Sequence, residues 1–288
     1  MRSLECSTAP WPGRSLTAIT QPFSSDGREA VPVRFRATVE YDGTDFAGFQ
    51  LQRPGVRTVQ GELETALAGL GNGVRQAVDG AGRTDAGVHA LGQVIGFAYA
   101  GRLGPTGLEA ALNRRLPPDI AIRDVRTAPP RFLPRRAARY REYRYTVWNG
   151  PRSPLRERTA LGIRVPLDVA AMARAGQVLE GRHDFSAFGV INSRQPVRTV
   201  HSVRVRRQGS LVTIDVRADS FLRGMVRRIV AVLIEVGHGK MNEHEVREAL
   251  AARQPARNGA TAPAKGLCLR RVVLGRRSER SDERDGDD

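Results

Sequence analysis

Cysteine is scarce in this 288-residue chain, which has only Cys6 and Cys268, near its opposite ends. A disulfide framework needs more cysteines than that, so we expect none, and we expect a reducing compartment. The chain also lacks any apolar run of about 20 residues, the length that a membrane-spanning helix needs. Its first residues carry no apolar segment of the secretory kind. These absences predict a cytoplasmic protein without a membrane partner.

Motifs for metals, nucleotides and serine nucleophiles are missing as well. The five histidines have no metal-ligand spacing, so we predict no metal site. The sequence contains neither a Walker A motif nor a Gly-x-Ser-x-Gly motif. Gly80-Ala81-Gly82 begins like a dinucleotide fingerprint, but Asp85 stands at the third glycine position and a strand follows. We therefore reject a bound dinucleotide.

Lysine is nearly absent, yet the chain is strongly basic. Lys240 and Lys265 are its only lysines, and arginine supplies the rest of the 46 basic residues. A genome that drifts toward arginine codons explains arginine in place of lysine. It does not explain why 46 basic residues face 30 acidic ones, a net charge of +16. Such an excess is typical of proteins that bind a polyanion, most often a nucleic acid.

Strands and helices alternate between two polar ends. Residues 1–32 and the charged tail 276–288 show no hydrophobic period, and we expect both to be disordered. Residues 33–130 follow the pattern β-α-β-β-α-β, and residues 131–275 repeat it in outline. We therefore predict an α+β protein of two similar halves whose sheets join. The predicted strands are 33–41, 75–78, 94–99, 120–125, 139–148, 200–206, 211–217 and 267–274, and the predicted helices are 58–70, one opening at 105, 167–179, 221–236 and 243–252.

A glycine-rich stretch, residues 80–94, surrounds a single carboxylate, Asp85. Glycine tolerates unusual backbone angles and lets a partner approach the main chain closely. Arg83 lies two residues earlier, and a nearby guanidinium stabilises the charged form of a carboxylate. Asp85 either caps a turn, or acts as a nucleophile or a stabiliser of an oxocarbenium ion. The residues alone leave both roles open.

Residues 139–145 alternate arginine and tyrosine in the manner of a strand. Period-2 alternation places Arg139, Arg141 and Tyr143 on one side. Such a face suits base stacking and phosphate binding. It equally suits aromatic packing in a half-buried strand, with arginine stems lying along it.

A third stretch, residues 221–230, has its apolar residues at helical spacing, so we expect them in the core. Arg223 and Arg227 are separated by four positions and are expected on one face of that helix. Two like charges repel each other there unless an anion lies between them. That anion is either a phosphate or Asp85.

Together these stretches resemble the motifs of the tRNA pseudouridine synthases of the A type. The resemblance spans about residues 33–275. Phe49 stands where many members have tryptophan, and Arg223-Gly224 stands where members vary. The motifs occur in the family's order, as Tyr41-Asp42-Gly43-Thr44, Gly48-Phe49-Gln50, Thr58-Val59-Gln60, Gly82-Arg83-Thr84-Asp85-Ala86-Gly87-Val88-His89, Gly92-Gln93-Val94, Tyr143-Arg144-Tyr145, Arg198-Thr199-Val200, Phe221-Leu222, Met225-Val226-Arg227 and Gly266-Leu267 with Leu269.

The resemblance implies two similar ferredoxin-like halves in one extended, mixed, largely antiparallel sheet with a central RNA-binding cleft, usually in a homodimer. It implies isomerisation of uridine to pseudouridine at positions 38, 39 and 40 of the tRNA anticodon arm. No electron or group enters from outside in that reaction, so no cofactor is required. Matched residue by residue, it implies that Asp85 is the nucleophile, Tyr143 stacks on the base and is a candidate proton acceptor, Arg227 pairs with Asp85, Leu269 is an apolar wall of the uracil pocket, and Arg83 and Arg223 meet the RNA.

Two other functions compete with this one. The first is a catalytically silent RNA-binding or chaperone protein on the same fold, which the presence of Asp85, Tyr143 and Arg227 disfavours. The second is an RNA-acting hydrolase that uses Asp85. Hydrolysis by the logic of glycosidases needs a second carboxylate, and no motif supplies one.

Overall fold

The computed structural model describes residues 31–275, apart from residues 72, 191–194 and 255–258. The predicted disorder of the N-terminal extension up to residue 30, and of the tail at residues 276–288, lies outside the described residues. Within the described chain, every helix is too short or too polar to span a membrane.

One mixed sheet of ten strands runs through the described residues. The strands are β1 (Val33–Tyr41), β2 (Val78–Gly80), β3 (His89–Tyr99), β4 (Ile120–Thr127), β5 (Ala138–Asn149), β6 (Leu161–Ile163), β7 (Gly181–Asp184), β8 (Val197–Gln208), β9 (Leu211–Ala218) and β10 (Leu267–Leu274). The spatial order is β4-β1-β3-β10-β5-β9-β8-β7, with β2 paired to β3 and β6 paired to β5. The β3–β10 and β5–β6 pairs are parallel, and the other pairs are antiparallel. The predicted α+β fold with one large, mostly antiparallel sheet is confirmed.

Helices connect the strands, and polar side chains cap the first turns of several of them. The helices are α1 (Val59–Leu70), α2 (Pro105–Asn113), α3 (Pro134–Ala137), α4 (Val169–Gln177), α5 (Met225–Gly237) and α6 (Glu243–Ala252). The Thr58 side chain accepts a hydrogen bond from Gly61 N and caps α1, which was predicted at 58–70. Asn242 and Glu245 form a reciprocal capping box at α6.

Two predicted strands are displaced around the glycine-rich stretch. The strand expected at 75–78 begins only at Val78. At this first residue of the strand, the main-chain N–H donates to a carboxylate oxygen of Glu64. The strand expected at 94–99 begins earlier, at His89. There β10 pairs with it in parallel, through Cys268 with His89 and through Leu269 with Ala90. The partner strand supplies the hydrogen bonds that outweigh the weak strand preference of this segment.

The helix predicted at 221–236 starts later, at Met225, which corrects one expectation about its arginines. Gly224 has a φ of 69°, a left-handed conformation that favours glycine and precedes the first turn. Arg223 therefore lies outside the helix, and its carbonyl oxygen accepts a hydrogen bond from Val190 N at 3.0 Å. The predicted placement of Arg223 and Arg227 on one helical face is wrong.

The last strand, β10, joins the two halves of the sheet. It lies between β3 and β5, and it pairs antiparallel with β5 from Leu267 opposite Tyr145 to Leu274 opposite Ala138. Alternate residues of β1 and β5, such as Val39 and Tyr145, are fully buried in one continuous apolar core. The proposed division of the chain at residues 130 and 131 stays a prediction.

Candidate active site

The loop between β2 and β3, residues 81–88, lies tightly against neighbouring segments. Ala81 N donates to Val94 O at 2.8 Å, and Phe49 N donates to Thr84 O at 3.1 Å. Gly48 has a φ of 107°, and a Cβ atom built on it would lie 2.9 Å from the Thr84 carbonyl oxygen. Only glycine therefore permits this approach of two main chains. The Gly48-Phe49 motif thus has a structural purpose, which is to hold the loop around Asp85.

Two buried polar side chains fix the loop from within the sheet. The Gln93 side chain donates to Gly82 O at 2.9 Å and accepts from Gly82 N at 3.3 Å. The Tyr41 hydroxyl lies 2.8 Å from Thr84 Oγ1. Burial raises the pKa of Tyr41 far above its ordinary value, so this phenol stays neutral and keeps its hydrogen bond. Both residues lie in the motifs given above, but the sequence alone does not indicate a role for either.

Arg141 connects the same loop to the end of β9, in the other half of the sheet. Its Nε and Nη2 donate to Ala81 O at 3.1 and 2.5 Å, and its Nη1 donates to Asp219 O at 2.7 Å. The guanidinium is buried on the same side of β5 as Tyr143. Of the two roles considered for this face of the strand, packing inside the protein and not phosphate binding therefore applies to Arg141.

Arg139 does not share that face, which corrects the predicted alternation. The buried position at the start of β5 belongs to Ala138, and Arg139 is exposed. The pairing of β5 with β10 shifts register between Val273 and Leu274, opposite this point. A register irregularity reverses the sides on which side chains beyond it emerge.

Asp85 forms an ion pair with Arg227 from α5. Arg227 Nη1 lies 3.7 Å from Asp85 Oδ2, and the two side chains are 22 % and 34 % exposed, respectively. Arg227 is itself oriented, because its Nε donates to Ala262 O at 2.6 Å. The structure therefore brings together two residues that the motifs pair and that lie far apart in the sequence.

Arg83 and Arg223, the other two arginines singled out from the sequence, take no part in this pair. Both are exposed. Arg83 forms no ion pair with any residue in the described ranges, so Arg227 and not Arg83 balances the charge of Asp85. The two exposed guanidinium groups face solvent, where an anionic ligand can reach them.

Tyr143 lies beneath the loop and is almost completely buried. Its hydroxyl oxygen is 3.8 Å from the point where a Cβ atom on Gly82 would lie, which places the phenol beside the main chain of the loop. The Phe221 ring meets the Tyr143 ring edge-on, with centroids 5.2 Å apart. Burial raises the pKa of Tyr143 to about 12, with Arg141 opposing that rise and the Asp85 charge adding to it. Tyr143 is thus a neutral phenol at neutral pH.

Leu269 and His89 complete the surroundings of the loop. Leu269 is fully buried in β10, directly opposite Tyr143 in the ladder. His89 Nδ1 accepts from Gly43 N at 3.0 Å, and its Nε2 lies 2.9 Å from Arg158 O and 3.1 Å from Lys265 O. The two carbonyl oxygens near Nε2 indicate that this nitrogen carries a proton, and Asp42 Oδ1 also lies 3.1 Å from Nδ1. The sequence alone indicates no role for His89. The feature that could have pointed to one is its position at the end of the motif Gly82–His89.

The site therefore combines a partly exposed carboxylate, a guanidinium and a buried phenol. A carboxylate beside a fixed cation is suited to nucleophilic attack or to stabilising positive charge that develops on a sugar. Among the residues that the structure describes, no three His, Cys, Asp or Glu side chains lie close enough to hold a metal ion.

A family model described as tRNA pseudouridine synthase matches residues 37–140 and 175–273 of the chain. The matched ranges contain Asp85 and Arg227, and Tyr143 falls just beyond the first range. The chain belongs to the tRNA pseudouridine synthase family. This family is one of isomerases, so the chain is an enzyme of an isomerase family.

Individual members of the tRNA pseudouridine synthase family are similar along nearly their whole length. A tRNA pseudouridine synthase A from Brevibacillus brevis is 45% identical over 83% of this chain and 99% of its own. One from Shouchella clausii is 43% identical over 84% of this chain and 94% of its own. One from Halalkalibacterium halodurans is 42% identical over 81% of this chain and 90% of its own.

Proposed function

We propose that this enzyme isomerises uridine to pseudouridine at positions 38, 39 and 40, in the anticodon stem and loop of tRNAs, with Asp85 as the nucleophile. The observation that carries this proposal is the Asp85–Arg227 ion pair beside the buried phenol of Tyr143. The relatives named tRNA pseudouridine synthase A support tRNA as the substrate.

The reaction rearranges bonds without a change in composition. The bond between C1′ and N1 breaks, the uracil turns, and C5 forms a bond to C1′. C5 then loses its proton and N1 gains one, so no oxidant, reductant or second substrate is consumed. Two routes fit an aspartate nucleophile: Asp85 adds to C6 of the uracil, or it acts at the sugar.

Arg227 has two tasks in this scheme. It stabilises the negative charge of Asp85 while the target nucleotide is bound, and it orients the carboxylate through its own bond to Ala262 O. Charge stabilisation of this kind is worth more in a site from which the substrate excludes water. The exposed part of Asp85 is the part that the uridine meets.

Tyr143 stacks on the uracil and takes part in moving the C5 proton. At pH 7 a phenol of pKa about 12 is ionised in about one molecule in 10⁵. When the Tyr143 oxygen accepts the C5 proton, its own proton must therefore leave, to N1 of the product or to solvent. Leu269, opposite Tyr143 on the neighbouring strand, contributes an apolar wall of the uracil pocket.

The RNA approaches a strongly basic protein. The target nucleotide must leave its stack to reach Asp85, which costs a few kcal/mol. Exposed Arg83 and Arg223 bind the RNA near the flipped nucleotide, and the net charge of +16 supports an interface led by phosphates. We further propose that the enzyme works as a homodimer in the cytoplasm.

Tritium release from tRNA labelled at uridine C5 tests the proposal, because the C5 proton must be lost when the new bond forms there. The wild-type protein is expected to release tritium, and pseudouridine is expected at positions 38 to 40. Mapping of pseudouridine in tRNA from cells with and without the protein identifies the positions. Binding of tRNA without tritium release would instead indicate a silent RNA-binding protein, and free uracil would indicate a hydrolase.

A further inference from the structure

A basic cavity lies at the end of β5, where β6 runs beside it. The cavity has a volume of about 190 Å³. Its lining includes one large aromatic side chain, Trp148, and four cationic ones, Arg152, Arg156, Arg164 and Lys265. None of these residues belongs to the proposed catalytic machinery.

The positive charge of this cavity is balanced only in part. Glu157 is the one acidic residue among its described lining residues, and it pairs with Lys265. The remaining cations, Arg152, Arg156 and Arg164, form no ion pair with any described residue. Three guanidinium groups around a small concave space attract an anion, and their planar donors match the oxygens of a phosphate.

The cavity is organised without a ligand. The Arg156 guanidinium lies over the Trp148 ring, 5.6 Å from its centroid, an arrangement in which the ring face attracts the cation. Trp148 Nε1 donates to Pro151 O at 2.7 Å, which holds the loop that carries these arginines. A ligand therefore meets at least one guanidinium that is already in place.

The cavity is also linked to the candidate active site through the segment that ends at Lys265. Lys265 O lies 3.1 Å from His89 Nε2, at the end of the Asp85 loop. Ala262, whose carbonyl oxygen binds Arg227, is only three residues before Lys265. A chain of three residues spans at most about 11 Å, so a few nucleotides bridge the two places.

We propose that this cavity binds a backbone phosphodiester of the tRNA, a few nucleotides from the uridine that reaches Asp85. The inference rests on the proposed function, because its ligand is the substrate of that reaction. Arg152, Arg156 and Arg164 supply the donors, and Trp148 keeps Arg156 in place. The contact reads the path of the backbone and not the base sequence.

The test compares a triple variant, Arg152→Gln, Arg156→Gln and Arg164→Gln, with a matched control, Arg126→Gln, Arg174→Gln and Arg247→Gln. Both variants lose the same charge at exposed positions. We measure the Kd for tRNA across a salt series, together with kcat and KM for tritium release. The cavity variant is expected to bind about tenfold more weakly at low salt, with a salt slope smaller by about 1, and to keep kcat within about twofold.

A cavity variant whose Kd and salt slope equal those of the wild type, or of the control, would overturn the proposal. If the triple variant is poorly folded, each single variant is compared with a single control variant in the same way, and a smaller loss of tRNA affinity is expected. The proposed function fails separately: a wild-type protein that binds tRNA through these arginines but releases no tritium leaves the cavity assignment intact and removes the isomerase one.

Discussion

Arg227 Nη1 lies 3.7 Å from Asp85 Oδ2, and the two residues come from segments that belong to the two halves of the sheet. The loop that carries Asp85 follows β2, whereas Arg227 lies in the first turn of α5. The strand β10 lies between these two halves of the sheet. The following predictions test what this relationship and its surroundings do.

Replacement of Arg227 is expected to damage turnover more than binding. Arg227→Met should lower kcat by about 100-fold, because it removes a fixed cation beside the nucleophile. Arg227→Lys should recover part of that loss, since one ammonium cannot reach both Asp85 and Ala262 O as the fork does. Arg228→Met, which removes the same charge one residue later, is the control. Equal losses in the Arg227→Met and Arg228→Met variants would show that position on the helix does not matter.

Tyr143→Phe separates the ring of Tyr143 from its hydroxyl. Stacking needs only the ring, so KM should change by less than about twofold. Loss of the proton acceptor should lower kcat by about 100-fold. Steady-state tritium release gives both constants, and an unchanged kcat would reduce Tyr143 to a stacking residue.

The buried phenol also predicts loss of stability at high pH. The pKa of Tyr143 rises from 10.0 to about 12 on folding, so its stabilising effect is complete below pH 10 and is lost as the pH rises toward 12. At pH 11 the loss is about 1.4 kcal/mol for this group. Burial also raises the pKa values of Tyr41 and Tyr145. Their ionisation therefore also lowers the free energy of unfolding as the pH rises.

Urea denaturation at pH 8 and pH 11 measures this effect as the change in free energy of unfolding between the two. That change should be smaller in Tyr143→Phe than in the wild type by about 1.4 kcal/mol, because phenylalanine does not titrate. Identical changes in the two proteins would mean that Tyr143 ionises in the folded protein as it does in the unfolded chain.

Arg141 is a positioning residue, since it touches the loop of Asp85 and not the uridine. Arg141→Met should lower kcat about tenfold or more with little change in KM, because the Ala81 and Asp219 carbonyl oxygens lose their shared donor. Arg144→Met is the control from the opposite face of the same strand, where Arg144 pairs with Asp215. A merely structural role predicts that both variants lose Tm and neither loses kcat selectively.

Helices and strands that are determined by local sequence were predictable. The strands predicted at 33–41 and 211–217 and the helix predicted at 58–70 each depend on a few neighbouring residues, and the structure has them at Val33–Tyr41, Leu211–Ala218 and Val59–Leu70. The start of β3 at His89 was not predictable in this way, because it depends on pairing with β10, which lies at the far end of the chain. The late start of α5 depends on the left-handed backbone of Gly224.

In the candidate site, too, some residue roles were predictable from the sequence and others were not. Asp85 stands out as the carboxylate of a glycine-rich loop, and the motif resemblance pairs it with Arg227. Alternation along a strand does not distinguish Arg141 as a packed arginine from an arginine that binds phosphate, because both occupy the same face. Its role follows from the carbonyl oxygens that surround it, and these come from loops distant in the sequence.

The most direct test of the central claim is tritium release by Asp85→Asn from C5-labelled tRNA, with tRNA affinity measured on the same preparation. Asparagine keeps the shape of the side chain and removes its negative charge and nucleophilicity. We expect release to fall by at least about 1,000-fold while the Kd for tRNA changes by less than about threefold. Full release by this variant, with the folded protein and its tRNA affinity intact, would contradict the assignment of Asp85 as the nucleophile.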